Sequence, residues 1–181
     1  MIPVSLPRFA LRQEHFGGLL LDYAVNSYHI LAPNEYQSLL TWLRSGDLLP
    51  DTGVLINKLS LLDKEGSANA SQRIDASNIR LISPPEVLPT NCLSGPIKVY
   101  DTYTRRCNLN CEHCYSSSNR ELKEVRRTPE QTMTIMRKFY ETGVMEWQFT
   151  GGEPTIVADL LESVRVAKSV PVKLMLFTIN V

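Results

Sequence analysis

Several common signals are missing from this 181-residue chain. There is no surplus of charge: 19 Lys and Arg balance 19 Asp and Glu, and the formal net charge is zero. A basic face for nucleic acid therefore has no support, nor does attraction to an anionic membrane surface. The longest apolar runs, Leu19–Leu21 and Leu174–Phe177, fall far short of the roughly 18 residues that cross a bilayer. The first residues, MIPVSLPRFALRQEHF, carry prolines and charges where a secretory signal needs an unbroken apolar stretch. A cytoplasmic protein is expected, with no membrane and no nucleic-acid partner. No internal repeat is visible. Cysteine is scarce, with four in all. Three of them fall within Cys107–Cys114. Cytosolic thiols stay reduced, so such a cluster reads as a metal or redox site rather than as disulfides. Cys92 stands apart and reads as a small buried hydrophobe.

What is present is the mix of a folded protein, 43% apolar and 21% charged. Two polar or proline-rich stretches, residues 66–78 and 83–96, divide it, and a domain boundary is expected near Pro84–Pro96. The first half predicts a hairpin from Leu19–Tyr23 and Tyr28–Leu31, turning at Asn26. A helix follows, capped by Asn34, striped by Tyr36, Leu39, Leu40 and Leu43, and ended by Gly46. Val54–Lys64 has helical spacing. Ile79–Ile82 fits a strand or a short helix. The plain reading of this half is a small α+β domain.

The second half alternates. Ile97–Tyr103 reads as a strand. Thr128, Pro129 and Gln131 form a capping box that opens a helix with Met133, Met136 and Tyr140 on one face and Ile135 and Phe139 beside them, and Gly143 stops it. Met145–Thr150 is the next strand. Thr155–Lys168 is helical with Leu160, Leu161, Val164 and Ala167 inward, Pro171 breaks it, and Val172–Thr178 is a third strand. The order βαβαβ implies a parallel sheet.

Between the first strand and helix of this half lies Arg105-Arg-Cys-Asn-Leu-Asn-Cys-Glu-His-Cys-Tyr115, with spacing C-x3-C-x2-C. Three thiolates on one loop suit soft iron sites, and three ligands on a four-iron cube leave one iron for an exogenous molecule. The loop follows the C-terminal end of a strand, the edge where parallel α/β proteins build their sites. Two other readings stay open. A structural zinc would need a fourth ligand, from Cys92 or less readily His113. Cys111 and Cys114 could also form a thioredoxin-like redox pair.

The pattern Cys107-x3-Cys111-x-His113-Cys114, with Tyr115 after it, resembles the signature of the radical SAM superfamily. Thr150-Gly-Gly-Glu-Pro-Thr155, at the end of the next strand, resembles that family's GGE(P) motif. Two glycines allow close backbone approach, and Glu153 suits an ammonium group. The resemblance implies that Cys107, Cys111 and Cys114 ligate a [4Fe–4S] cluster. It implies that Gly151, Gly152, Glu153 and Pro154 hold the methionyl end of S-adenosylmethionine, with His113 against the adenine. The activity implied is formation of a 5′-deoxyadenosyl radical fed by a reductant such as a flavodoxin or ferredoxin. No side chain is assigned as acid, base or nucleophile.

Arg12–Leu40, including Phe16-Gly-Gly-Leu-Leu-Leu-Asp22, looks like the leader-peptide recognition domain that precedes many peptide-modifying members. It implies a precursor peptide as partner. The expected layout is a winged-helix-like α+β domain over 1–82, a linker over 83–96, and over 97–181 the first three βα units of a partial TIM barrel. Such a barrel usually has six units. A fragment, a truncated reading frame or a chain completed by a second polypeptide is therefore expected. Two other functions remain: a catalytically inactive peptide-binding module, or a radical SAM core acting on a small molecule or tRNA.

Overall fold

The computed structural model describes residues 6–47, 49, 52–55, 76–122 and 127–178. The chain divides into two compact units, Pro7–Ser94 and a second that contains Gly95–Val181. Among the described residues no helix is long and apolar enough to cross a membrane.

The first unit is a four-stranded sheet with one helix on it. Strands β1 (Phe9–Glu14), β2 (Gly17–Asp22) and β3 (Ser27–Leu31) form an antiparallel meander, and β4 (Ile79–Ile82) joins β1 in parallel, giving the order β3-β2-β1-β4. The expected hairpin is β2–β3, and Asn26 turns it with φ 54°. Asn side chains tolerate this left-handed conformation better than most. Ile79–Ile82, undecided from sequence, is a strand because β1 offers it a free edge.

Helix α1 (Pro33–Ser45) closes over the sheet. Asn34, expected from sequence to cap this helix, does not. The cap position is Ala32, Pro33 opens the first turn, and Glu35 reaches back to accept the Ala32 amide at 2.9 Å. Proline has no N–H to leave orphaned there, so it displaces Asn34 into the helix. Gly46 ends α1 in the left-handed region. Phe9, Leu11, Leu20, Leu31, Tyr36 and Leu39 make the core. Residues 52–55 are helical, and the rest of the Val54–Lys64 expectation lies outside the described residues.

Two features of this unit escaped the sequence. Strand β1 was not anticipated, because Arg12 and Glu14 interrupt its apolar pattern. They pair with each other at 2.7 Å while fully buried. Glu14 also accepts the Ser94 amide at 2.7 Å and its hydroxyl at 3.1 Å, so the end of the proline-rich stretch is tied to β1. Cys92, expected inside, is exposed. It lies in the stretch 83–93, where nearly every side chain meets solvent among the described residues.

The second unit is a three-stranded parallel sheet, β5 (Lys98–Thr104), β6 (Glu146–Gly151) and β7 (Lys173–Leu176), in that order. Helix α2 (Pro129–Glu141) and helix α3 (Leu160–Ala167) are its crossovers. The expected capping box is present: Thr128 Oγ1 accepts the Gln131 amide and Gln131 Oε1 accepts the Thr128 amide. Tyr103, Met136, Trp147, Phe149, Leu160 and Val172 form the core between sheet and helices. Phe139 stacks edge-on against Trp147, with ring centroids 5.7 Å apart.

Helix α3 is shorter than the sequence suggested. Residues Pro154–Ile156 form a 3-10 turn, and Val157 is extended, so the α-helix begins only at Leu160. Leu161, expected inward, is 77% exposed. With the later start, the inward face carries Leu160, Ser163, Val164 and Ala167, and the Ser163 hydroxyl meets Tyr103 Oη at 2.7 Å.

Candidate functional site

Parallel strands end together, and the site lies where β5, β6 and β7 end. Strand β6 keeps pairing past its last sheet residue. The Gly152 amide donates to the Thr104 carbonyl at 2.7 Å, and the Glu153 amide to the Arg106 carbonyl at 2.9 Å. These bonds stitch the Gly-Gly-Glu turn to the first residues of the cysteine loop.

The stitch explains the glycines. Gly151 has φ +115°, and a Cβ on it would fall 2.2 Å from the Thr104 carbonyl oxygen. A Cβ on Gly152 would fall 2.0 Å from the Arg106 carbonyl oxygen. The close approach these glycines allow is to the neighbouring main chain, so their first task is to build the site.

The cysteine loop is closed at its neck. The Cys107 amide donates to the Asn119 carbonyl at 3.1 Å, and Arg106 bridges Asn119. Arg120 crosses the loop to the Asn108 carbonyl, with Nε at 2.8 Å. Inside, the Cys114 amide donates to the Cys111 carbonyl, and the Leu109 amide to Cys107 Sγ at 3.4 Å. Asp101 on β5 anchors the chain as it enters α2. Its two carboxylate oxygens each lie 2.7 Å from Arg127 Nη2, and Trp147 Nε1 donates to one of them at 3.1 Å.

The result is one cavity of about 230 Å³, lined by Cys107, Cys111, His113, Cys114, Tyr115, Gly151, Gly152, Glu153, Phe177 and Thr178. Seven of the eight residues singled out from sequence meet there. Pro154 is buried next to Glu153 as the first residue of the 3-10 turn. All three loop cysteines are free thiols. The Cys114 thiol is held below its usual pKa, first by the Ser116 hydroxyl and then by backbone amides of residues 116–118. Hydrogen bonds to sulfur favour its charged form.

Glu153 is 1% exposed. Its Oε1 accepts from the Thr155 amide at 3.0 Å, from Thr155 Oγ1 at 2.6 Å and from Thr178 Oγ1 at 2.7 Å. A carboxylate at the wall of a partly closed cavity is suited to a cationic group.

Sequence reasoning missed Ser116, Thr155, Phe177 and Thr178. Phe177 and Thr178 follow β7, and the expectation that β7 ends at the same edge could have named them. The serine run behind Cys114 was the available signal for Ser116.

The donor set fits an iron–sulfur cluster. Three soft thiols, Cys107, Cys111 and Cys114, line one cavity, and cysteine thiolates are the ligands that hold such clusters.

Comparison with known proteins agrees. The family model "Radical SAM superfamily" matches residues 102–180. This part of the chain is a radical SAM domain. Members of the superfamily use a [4Fe–4S] cluster and S-adenosylmethionine. A probable GTP 3′,8-cyclase of Pyrococcus horikoshii is 39% identical over 75 residues, covering 41% of this chain and 24% of that protein. The PqqA peptide cyclase of Bradyrhizobium diazoefficiens is 32% identical over 75 residues, covering 41% and 20%. The crystal structure of Streptococcus suis SuiB bound to precursor peptide SuiA matches with TM-score 0.60 at 19% identity, covering 98% of this chain and 42% of that one. The likeness to SuiB shows a shared mixed α/β fold. The chain spans a quarter or less of these two curated relatives.

Proposed function

We propose that this chain provides the cluster- and cofactor-binding edge of a cytoplasmic radical SAM enzyme that modifies a ribosomally made peptide. The observation that carries the reading is the single cavity walled by both motifs. In it Cys107, Cys111 and Cys114 would hold a [4Fe–4S] cluster, and the Gly151–Pro154 turn lines the same cavity up to Glu153. Glu153, fixed by Thr155 and Thr178, would receive the amino group of S-adenosylmethionine, with His113 towards the adenine. When bound, the pair supplies one-electron cleavage of the sulfonium to a 5′-deoxyadenosyl radical. The residues themselves ligate, orient and wall the site.

Anaerobic reconstitution should give about four irons and four sulfides per chain, the stoichiometry of one cube. Cys111→Ala should lose the cluster. Stoichiometric zinc without labile sulfide would remove the reading.

The sheet β5-β6-β7 with its crossovers is read as the first three βα units of a partial barrel. A flavodoxin or ferredoxin would supply the electron. The Pro7–Ser94 unit is read as a winged-helix-like leader-binding domain. Two features support this: its edge strand β3, which a peptide could extend, and the likeness to SuiB in its crystal structure bound to precursor peptide SuiA. Titrating the whole chain with precursor peptides from neighbouring genes tests it: saturable binding is expected, and absence of binding to every candidate counts against it.

A small-molecule substrate is the alternative, since probable GTP 3′,8-cyclases stand among the curated relatives beside the peptide cyclases. Saturable GTP binding with no peptide binding would select it.

A further inference from the structure

Ser116 sits where the two motifs meet. Its Oγ lies 3.4 Å from Cys114 Sγ and 2.7 Å from Ser118 Oγ, and it donates to the Gly151 carbonyl at 3.0 Å. Ser118 is buried. A hydroxyl has one proton to give and two lone pairs to receive with. With a free thiol at Cys114 the assignment closes: Ser116 donates to Gly151, while Cys114 S–H and Ser118 O–H can both donate to Ser116.

Ligation changes that count. A cysteine bound to iron has lost its proton, so its sulfur can only accept. The single Ser116 proton then has two acceptors, the Gly151 carbonyl and the Cys114 sulfur. Ser118 remains behind as donor and polarises the hydroxyl.

We propose that Ser116 is a positioning residue that ties the Cys114 sulfur to the Gly-Gly-Glu turn and sets the reduction potential of the cluster through its one shared proton. The inference rests on the cluster assignment above. Hydrogen bonds to cluster sulfurs are among the levers on potential. A donor there stabilises the reduced, more negative state, so its removal lowers the potential.

The experiment is an EPR-monitored redox titration of the anaerobically reconstituted full chain, its S116A and its S116T variants. The S116A chain should keep its irons yet hold about tenfold less reduced cluster at a fixed solution potential, which for one electron is about 59 mV. S116T, which keeps the hydroxyl, should titrate with the parent chain. An S116A midpoint equal to the parent's overturns the inference, as does an equal fall in S116T. Should S116A take up no cluster, the S118A chain is read instead. A smaller fall in the same direction supports the proposal, and an unshifted midpoint overturns it. A parent chain that assembles no cluster refutes the cluster assignment itself. A parent with cluster and an unmoved S116A refutes only the role of Ser116.

Discussion

Each unit of this chain contains a Gly-Gly pair, and the two pairs solve different problems. Gly17-Gly18 opens β2. A Cβ on Gly17 would meet the Leu31 carbonyl at 2.3 Å, and one on Gly18 would meet the Tyr36 ring at 2.5 Å. Those neighbours are the end of β3 and a core side chain of α1, so the pair lets the helix settle on its sheet. Gly151-Gly152 closes β6 against the main chain of Thr104–Arg106. The first pair serves packing alone. The second also decides whether the cysteine loop and the Glu153 turn share a cavity. The same dipeptide is thus structural in one unit and site-building in the other, and the difference lies in what stands opposite.

The sharpest way to break that contrast is Gly152→Ala. Its obstacle is the main chain of Arg105 and Arg106, which cannot swing aside like a side chain. Cluster uptake on reconstitution should fall at least tenfold, read as labile sulfide per chain, while amides of β2 and β3 keep their hydrogen-exchange protection. Full uptake would show that the stitch is dispensable. Gly18→Ala should have the opposite profile. The buried Tyr36 ring must move, at an overpacking cost of about 1–3 kcal/mol. Exchange in β2 and β3 should quicken, with cluster uptake unchanged. Cys92→Ser should do least. The thiol is exposed, surface changes usually stay within about 0.5 kcal/mol, and iron content should match the parent chain. Lost iron in that variant would revive Cys92 as a fourth ligand.

Much of the second unit was legible in the sequence because its signals were local. Thr128, Pro129 and Gln131 announced α2, and alternating strands and helices announced the parallel sheet. Where two elements had to be read together, the sequence was weaker. Arg12 and Glu14 look like surface residues until they are seen to neutralise each other inside β1. Leu161 looks like a core residue until the 3-10 turn at Pro154–Ile156 delays α3 and rotates it outward. The two motifs were recognisable as strings, but their meeting depends on main-chain bonds from Gly152 and Glu153 that no side chain encodes. The glycines were read as room for a ligand, and they proved first to be room for Thr104 and Arg106.

The three donors around one oxygen of Glu153 have a consequence for binding. A flexible glutamate gives up rotamer freedom when a guest arrives, and that loss weakens the complex. Here Thr155 and Thr178 have already frozen the side chain during folding. A cationic visitor therefore finds the carboxylate aimed before it docks, and the entropy of aiming is charged to the stability of the domain instead of to affinity.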